Sequence, residues 1–308
     1  MKKSRTGSDS TDGDLALTIG TFDGVHLGHQ LLLDVTKSIA NARGIESAAY
    51  TYKVPPKRYL VESGPPLIMD PDKKLNLLQS RVGRVIVGDF LEVKDYSPER
   101  YVEEILVDRL NVNAVIVGDD WRFGQNRAGS HADLKELGKG RFTVHPQDKV
   151  KKRGKPVSST WIRRSILNGE MKLAADLLGR YPSYSGKVVR GNQVGKDIGF
   201  PTANIELDPR VALPKNGNYA AFVDIDDEKL GAAAHVGNRP TFGDSRNHQI
   251  EVHLIDYDGN LYGQRIEVSI VKYLGRSKKY EKRKELRRAI DNYVTEAKKV
   301  LRDVSAVN

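Results

Sequence analysis

Near residue 183 the sequence changes rhythm, and each side of that point calls for a different fold. Before it, apolar strand-like runs alternate with helix-spaced ones. Leu15–Ile19, Ser47–Tyr52, Arg84–Phe90, Ala114–Val117 and Arg141–His145 read as short strands. Between the first two, Leu31, Leu32, Val35 and Ile39 recur at helical spacing, and Gly44 stops the helix. Asp70-Pro71 and Ser97-Pro98 each pair a cap with a proline suited to a first turn. A short helix is expected near Ala132–Leu137, and Ser159 to Leu178 reads as two short helices split by Asn168-Gly169. Alternating strands and helices predict a parallel sheet with right-handed crossovers and helices on both faces. After Tyr181-Pro182 six strand-like runs follow with turns between them: Tyr184–Arg190, Thr202–Leu207, Tyr219–Ile225, Ala232–Val236, Ile250–Tyr257 and Gln264–Leu274. Six strands and then one helix predict a small closed barrel with a C-terminal helix. The expected division is a tail over 1–14, an α/β domain over 15–168, a linker over 169–183 and a barrel domain over 184–308.

Composition removes several classes. With 39 % hydrophobic and 29 % charged residues the chain can build a core and is not a disordered polymer. It has no run of about 18 apolar residues, so no membrane span is expected. The polar opening residues lack the apolar stretch of a signal peptide. The absence of cysteine excludes disulfides, thiolate metal sites and cysteine nucleophiles. A cytoplasmic protein is the expectation. The net charge is +10, and the segment from Arg276 to Arg302 holds eleven Lys/Arg against four Asp/Glu. That segment also carries Leu286, Ile290, Tyr293, Val294, Ala297 and Leu301 at helical spacing. Most of the excess charge is therefore read as the solvated face of a helix. Nucleic acid is not expected as a partner, nor is a membrane or an obligate protein partner.

The first chemical motif, Gly20-Thr21-Phe22-Asp23-Gly24-Val25-His26-Leu27-Gly28-His29, lies between the first strand and the first helix. That is the crevice at the carboxyl end of a parallel strand, where open α/β sheets bind ligands. Gly20, Gly24 and Gly28 let backbone approach a ligand closely. The helix amino terminus turns N–H groups and a positive dipole end toward phosphate. His26 and His29, three residues apart, can point together at that phosphate and stabilise charge growing on phosphorus. Gly118-Asp119-Asp120-Trp121-Arg122-Phe123-Gly124 follows the fourth strand. Val157-Ser158-Ser159-Thr160-Trp161-Ile162-Arg163 opens a helix, where hydroxyls, N–H groups and a guanidinium suit anionic oxygen.

The second motif lies between the first two barrel strands. Gly191, Gly195 and Gly199, with Lys196 among them, suit a loop folding over phosphates. Thr202 and Asn204 alternate and so share one face of a strand. With a phosphate they could hold Mg²⁺, which takes few protein oxygens. The Gly-Lys-Ser/Thr of a Walker loop is absent. Farther on, Glu251 and His253 share one face of an otherwise apolar strand, and Glu251 is expected to point inward. A carboxylate there is costly unless it has a partner or a task.

The string ending in His26-Leu27-Gly28-His29 resembles the nucleotidyltransferase superfamily in which His-x-Gly-His binds ATP phosphates. The later strings resemble the riboflavin kinase domain. Taken together, from about Leu15 to Leu301, the chain resembles the bacterial bifunctional riboflavin kinase/FAD synthetase family. The resemblance implies two ATP reactions: riboflavin to FMN with release of ADP, and FMN to FAD with release of pyrophosphate. It implies Mg²⁺ as cofactor. It makes Glu251 the base for the ribityl hydroxyl, with Gly191, Gly195, Lys196 and Gly199 as the phosphate loop and Thr202 and Asn204 at the metal. On the other domain it makes Gly20, Phe22, Asp23, Gly24, Gly28, Ser159, Thr160 and Arg163 contacts to ATP. It has His26 and His29 stabilise charge on the phosphorus of the transferring adenylyl group there, and makes Asp119, Asp120 and Arg122 contacts to FMN or ATP. One departure stands out. The family usually reads Thr-Phe-acid-Pro-His-Pro after the second strand, whereas this chain has Lys53 at the acid and Pro55 at the histidine. A kinase with a weakened adenylyltransferase domain, or a flavin- or RNA-binding regulator, remains an alternative at this level.

Overall fold

The computed structural model describes residues 14–61, 64–191, 199–226, 228–238, 248–278 and 280–306. They form two compact units. The first runs to Pro65 and resumes over Lys74–Val157; the second comprises Pro66–Lys73 and everything from Ser158.

The strands of the first unit are β1 Leu15–Ile19, β2 Glu46–Tyr52, β3 Arg84–Gly88 and β4 Val112–Gly118, the short pair β5 Arg122–Phe123 and β6 Gly129–Ser130, then β7 Thr143–Gln147 and the pair β8 Lys151–Lys152 and β9 Lys155–Pro156. Its helices are α1 Leu27–Arg43, α2 Lys57–Leu60, most of α3 Pro71–Gln79, α4 Phe90–Val93, α5 Pro98–Tyr101 and α6 His131–Leu137. The main sheet is parallel in the order β3-β2-β1-β4-β7, as predicted from the alternation. All five residues of the central strand β1 are buried, Thr18 among four apolar ones, since a strand covered on both faces carries a near-continuous apolar run. Successive residues sort to opposite faces. Ala16, Ala114 and Ile116 meet Ala40 of α1, while Leu15, Leu17, Val115 and Val117 meet Val102, Ile105 and Leu106.

Local chemistry sets the element ends. Gly44 takes a left-handed φ of 66° and ends α1. Ser97 accepts from the Arg100 N–H and opens α5, which continues as a π-helical stretch over Val102–Arg109. β3 stops at Gly88, short of the expected Phe90, because Asp89 accepts from the Leu91 N–H and caps α4.

In the second unit α7 Ser159–Leu167 and α8 Met171–Leu178 precede β10 Ser183–Val189, β11 Ala203–Glu206, β12 Gly217–Ile225, β13 Glu228–Asn238, β14 His248–Leu254 and β15 Arg265–Gly275; α9 Arg283–Ser305 closes the chain. The six strands form a closed barrel in the order β10-β11-β14-β13-β12-β15, antiparallel throughout. The expected sheet-then-barrel architecture is thus observed. Ala297 and Leu301 of α9 pack on Ala220 and Val271, and the helix's Lys and Arg residues are exposed. The expected linker over 169–183 contains α8. This helix buries Met171, Ala174, Leu177 and Leu178, so it packs rather than tethers, and α7 and α8 belong to the barrel's compact unit. Among the described residues no helix is long and apolar enough to cross a membrane.

Candidate active sites

In the strand order of the first unit the chain turns back between β1 and β4, so the crevice beyond their carboxyl ends is the topological switch point. Both first-unit motifs sit there. Between β1 and α1 the backbone takes left-handed φ at Phe22 (49°), Gly24 (87°) and Val25 (39°). A β-branched residue in that region is strained. The side chains of Phe22 and Val25 are buried, 0 % and 1 % exposed, and fix the loop. His26 caps α1, its Nδ1 accepting the His29 N–H at 3.3 Å. The two imidazoles stack at 3.6 Å between centroids, 16° from parallel, and Phe22 meets His29 edge-on at 5.2 Å. Gly20 lies against the Phe22 ring and Gly28 against the His26 ring. Thus Gly20, Phe22, Asp23, Gly24, His26, Gly28 and His29 form one folded loop, with Asp23 and His26 both buried.

After β4, the Asp119 N–H donates to the Gln147 carbonyl at 3.0 Å, and its own carbonyl lies 2.9 Å from His131 Nδ1. Asp120 is ion-paired with Lys149 at 2.8 Å. Asp119, Asp120 and Arg122 are exposed at the strand end. Ser159, Thr160 and Arg163 occupy the first turns of α7, in the second unit, where Ser158 accepts the Trp161 N–H at 3.3 Å and Arg163 Nε donates to the Pro66 carbonyl at 2.6 Å.

Lys74 belongs to the first unit, with no motif in the sequence to announce it. This lysine of α3 is 3 % exposed. Its Nζ donates to the Tyr52 carbonyl at 2.5 Å and lies 3.2 Å from the Lys53 carbonyl, 3.3 Å from the Thr21 carbonyl and 3.4 Å from Thr51 Oγ1. Burial pushes its ammonium down to about 8, with the Asp23 carboxylate pulling the other way.

In the second unit a cavity of about 320 Å³ lies between the barrel wall and α9. Thr202, Asn218, His235, Glu251 and His253 line one side; Leu286, Ala289, Ile290 and Tyr293 line the other. Glu251 therefore does not point into the barrel. Val252 fills the interior at 0 % exposure, and strand alternation turns Glu251 outward, beneath α9. Its cross-strand neighbours are Asn204 on β11 and His235 on β13. His235 Nδ1 lies 3.1 Å from Asn218 Oδ1 and 3.3 Å from Ser277 Oγ. Burial pushes this imidazole down, against an upward pull from Glu251. His235 is a second residue with no motif in the sequence to announce it. His253 Nδ1 is 2.8 Å from the Pro201 carbonyl. Asn204 is 3 % exposed, and its Oδ1 has no hydrogen-bond partner among the described residues. Gly191 presses on that amide so closely that a β-carbon would overlap it. Gly199 takes φ 85°. Gly195 and Lys196 lie outside the described residues.

A phosphate-type loop at the switch point of a parallel sheet, followed by a barrel with a carboxylate under its terminal helix, defines a two-domain nucleotide-dependent transferase. A family model described as FAD synthetase matches residues 8–161, and one described as riboflavin kinase matches residues 178–301. The bifunctional riboflavin kinase/FMN adenylyltransferase of Haemophilus influenzae is 35 % identical over 288 residues, spanning 92 % of this chain and 93 % of the relative. The Escherichia coli K12 protein of the same name is 32 % identical over 279 residues, or 89 % and 88 %. A solved structure titled a macrolide-efflux protein from Streptococcus pneumoniae superposes with a TM-score of 0.85 at 28 % identity, covering 94 % of this chain and 95 % of that one. The chain belongs to the bifunctional riboflavin kinase/FMN adenylyltransferase family. It is an enzyme of flavin biosynthesis with both activities, and ATP is the co-substrate of each.

Proposed function

We propose that the two reactions are divided between the two strand-end and barrel sites, with FMN adenylylation on the Gly20–His29 loop and riboflavin phosphorylation in the cavity at Glu251. The observation carrying the kinase assignment is the position of Glu251. A carboxylate on a sheet face, covered by an apolar helix wall and open to a ligand-sized cavity, is placed to take a proton from a hydroxyl beside an apolar ring system. Phosphoryl transfer depends mainly on positioning and charge neutralisation, so Glu251 is one part among several. Gly191 and Gly199 would let the backbone approach the phosphates.

The residues present fit Mg²⁺. Among the described residues no group of three or more His, Asp or Glu is gathered for a metal, so the fit rests on neutral oxygens. Asn204 supplies a buried Oδ1 with no hydrogen-bond partner among the described residues, and Thr202 stands two residues earlier on the same strand face. Hard oxygen donors, few in number, suit Mg²⁺, which keeps waters or phosphates as its other ligands. Thr202 and Asn204 would hold the ion, which when bound supplies positive charge to the transferring phosphoryl group.

For adenylylation the FMN phosphate is itself a competent nucleophile, and the obstacle is its repulsion by the ATP triphosphate. The stacked His26–His29 pair and the α1 amino terminus would meet the charge that develops on phosphorus. Asp119, Asp120 and Arg122 would contact FMN or ATP from the neighbouring strand end. Cytoplasmic reaction is the setting this chemistry suits.

The test uses purified full chain, ATP and Mg²⁺, with riboflavin in one tube and FMN in the other. Glu251→Gln is expected to lower FMN formation at least about a hundredfold and leave FAD formation from supplied FMN unchanged. His29→Ala is expected to lower FAD formation by about two orders of magnitude and spare the kinase. Loss of both activities in either folded variant would overturn the division.

A further inference from the structure

We infer that Lys74 is a positioning residue for FMN adenylylation: its buried ammonium gathers the chain ends leaving β1 and β2 and so sets the backbone of the nucleotide loop. The inference rests on the assignment of adenylylation to the Gly20–His29 loop.

The geometry is specific. Three carbonyls, those of Thr21, Tyr52 and Lys53, converge on one Nζ together with the Thr51 hydroxyl. They come from two different loops that leave adjacent parallel strands. A surface lysine would not be held this way, and this one is enclosed. In a planar trans peptide the N–H is directed opposite to its carbonyl. Carbonyls drawn onto Lys74 therefore turn the N–H groups of Phe22, Lys53 and Val54 away from it. Lys53 stands at the acid of the family's usual motif, and Val54 lies between it and Pro55, which stands at the histidine. Lys74 fixes the backbone at the position where that acid is missing. The charged group acting on it is Asp23, buried in the same nucleotide loop.

A lysine that works as a cation must be protonated to do so. Its burial-lowered affinity for protons places the loss of charge at alkaline pH. The sign separates function from stability. A base whose folded pKa lies below its unfolded value contributes stability that grows as pH rises between the two. Adenylylation is thus expected to fall through about pH 8 while the Lys74 contribution to stability rises, the reverse of an activity lost through unfolding.

The experiment measures kcat and KM for FMN adenylylation between pH 6 and 10 in the full chain, with riboflavin kinase activity and urea midpoints in the same samples. Wild type should show an alkaline limb in kcat without a drop in midpoint. Lys74→Arg, whose guanidinium stays charged, should retain activity at pH 7 within about tenfold and lose that limb. Lys74→Met should lower adenylylation kcat at least tenfold with the kinase intact. A wild type with no alkaline limb, a Lys74→Arg with the same limb, or a folded Lys74→Met with normal kcat would each overturn the inference. If Lys74→Met fails to fold, the wild-type and Lys74→Arg profiles decide. Adenylylation that survives His29→Ala would instead overturn the site assignment.

Discussion

Gly191 is fixed by what lies against it. A methyl group there would enter the space of the Asn204 amide, which the barrel buries beside Glu251. Gly191→Ala is expected to lower riboflavin phosphorylation about tenfold, since an ångström-scale displacement of a positioning group costs rate steeply. Adenylylation of supplied FMN should stay within about twofold of wild type, and paired assays on one preparation check both. At this scale the Gly20–His29 loop with its histidine pair, and the presence of Glu251 on a barrel strand, were legible, because each is a residue type out of keeping with its surroundings. The direction of Glu251 was not. Alternation puts Glu251 and His253 on one face but does not say which face the helix will cover. Lys74 and His235 left no trace in the pattern. A lysine at a polar-looking helix position reads as solvated charge, and only the folded β1 and β2 ends enclose it.

Among the elements, α1 ends where a residue without a β-carbon is needed. Gly44 has φ 66° and open space around it, so Gly44→Ala meets a backbone penalty rather than a clash. It should cost about 1 kcal/mol in a denaturant titration. α9 is held by a different force. Leu301 is 5 % exposed and packs with Ala297 on Ala220 and Val271. Leu301→Ala should destabilise the barrel unit by about 2–5 kcal/mol. Because α9 also walls the Glu251 cavity, the kinase should lose thermal stability in the same variant. Helices and strands were legible here because their periods differ and their caps are local: Ser97 and Gly44 act within a few residues. The π-helical stretch over Val102–Arg109 was not. Its apolar spacing still buries Val102, Ile105 and Leu106, so the pattern alone fits an ordinary helix.

At the scale of the whole molecule, the second unit is discontinuous in sequence, and no local pattern could announce it. Residues 66–73 belong with the barrel. The Leu67 N–H donates to the Arg210 carbonyl at 2.8 Å, and the Leu67 carbonyl accepts from Ala212 at 2.7 Å. Leu67, Ile68 and Met69 are all buried. Lys73 binds Glu267 and Ser183. Full burial of a large apolar side chain contributes about 1.5–3 kcal/mol, so three of them amount to a sizeable share of a domain's typical 5–15 kcal/mol. A fragment beginning at Ser158 is therefore expected to unfold at lower urea than the same unit in the full chain. Fusing residues 66–73 ahead of the fragment should recover part of the difference, and equal midpoints with and without the segment would refute this account. Glu267 gives the strap a pH signature. Burial alone would raise its carboxyl, but the Lys73 charge and hydrogen bonds from Lys73, Ser183 and Ser185 outweigh burial and hold it below the usual range. A carboxyl lowered in the folded state contributes stability present above its unfolded pKa of about 4.3 and lost as pH falls through the folded value. The full chain's barrel unit should thus lose urea resistance on acidification below about pH 4. Glu267→Gln should show a lower midpoint at pH 7 and a flatter acid profile, because the strap's lysine then has no carboxylate to lose.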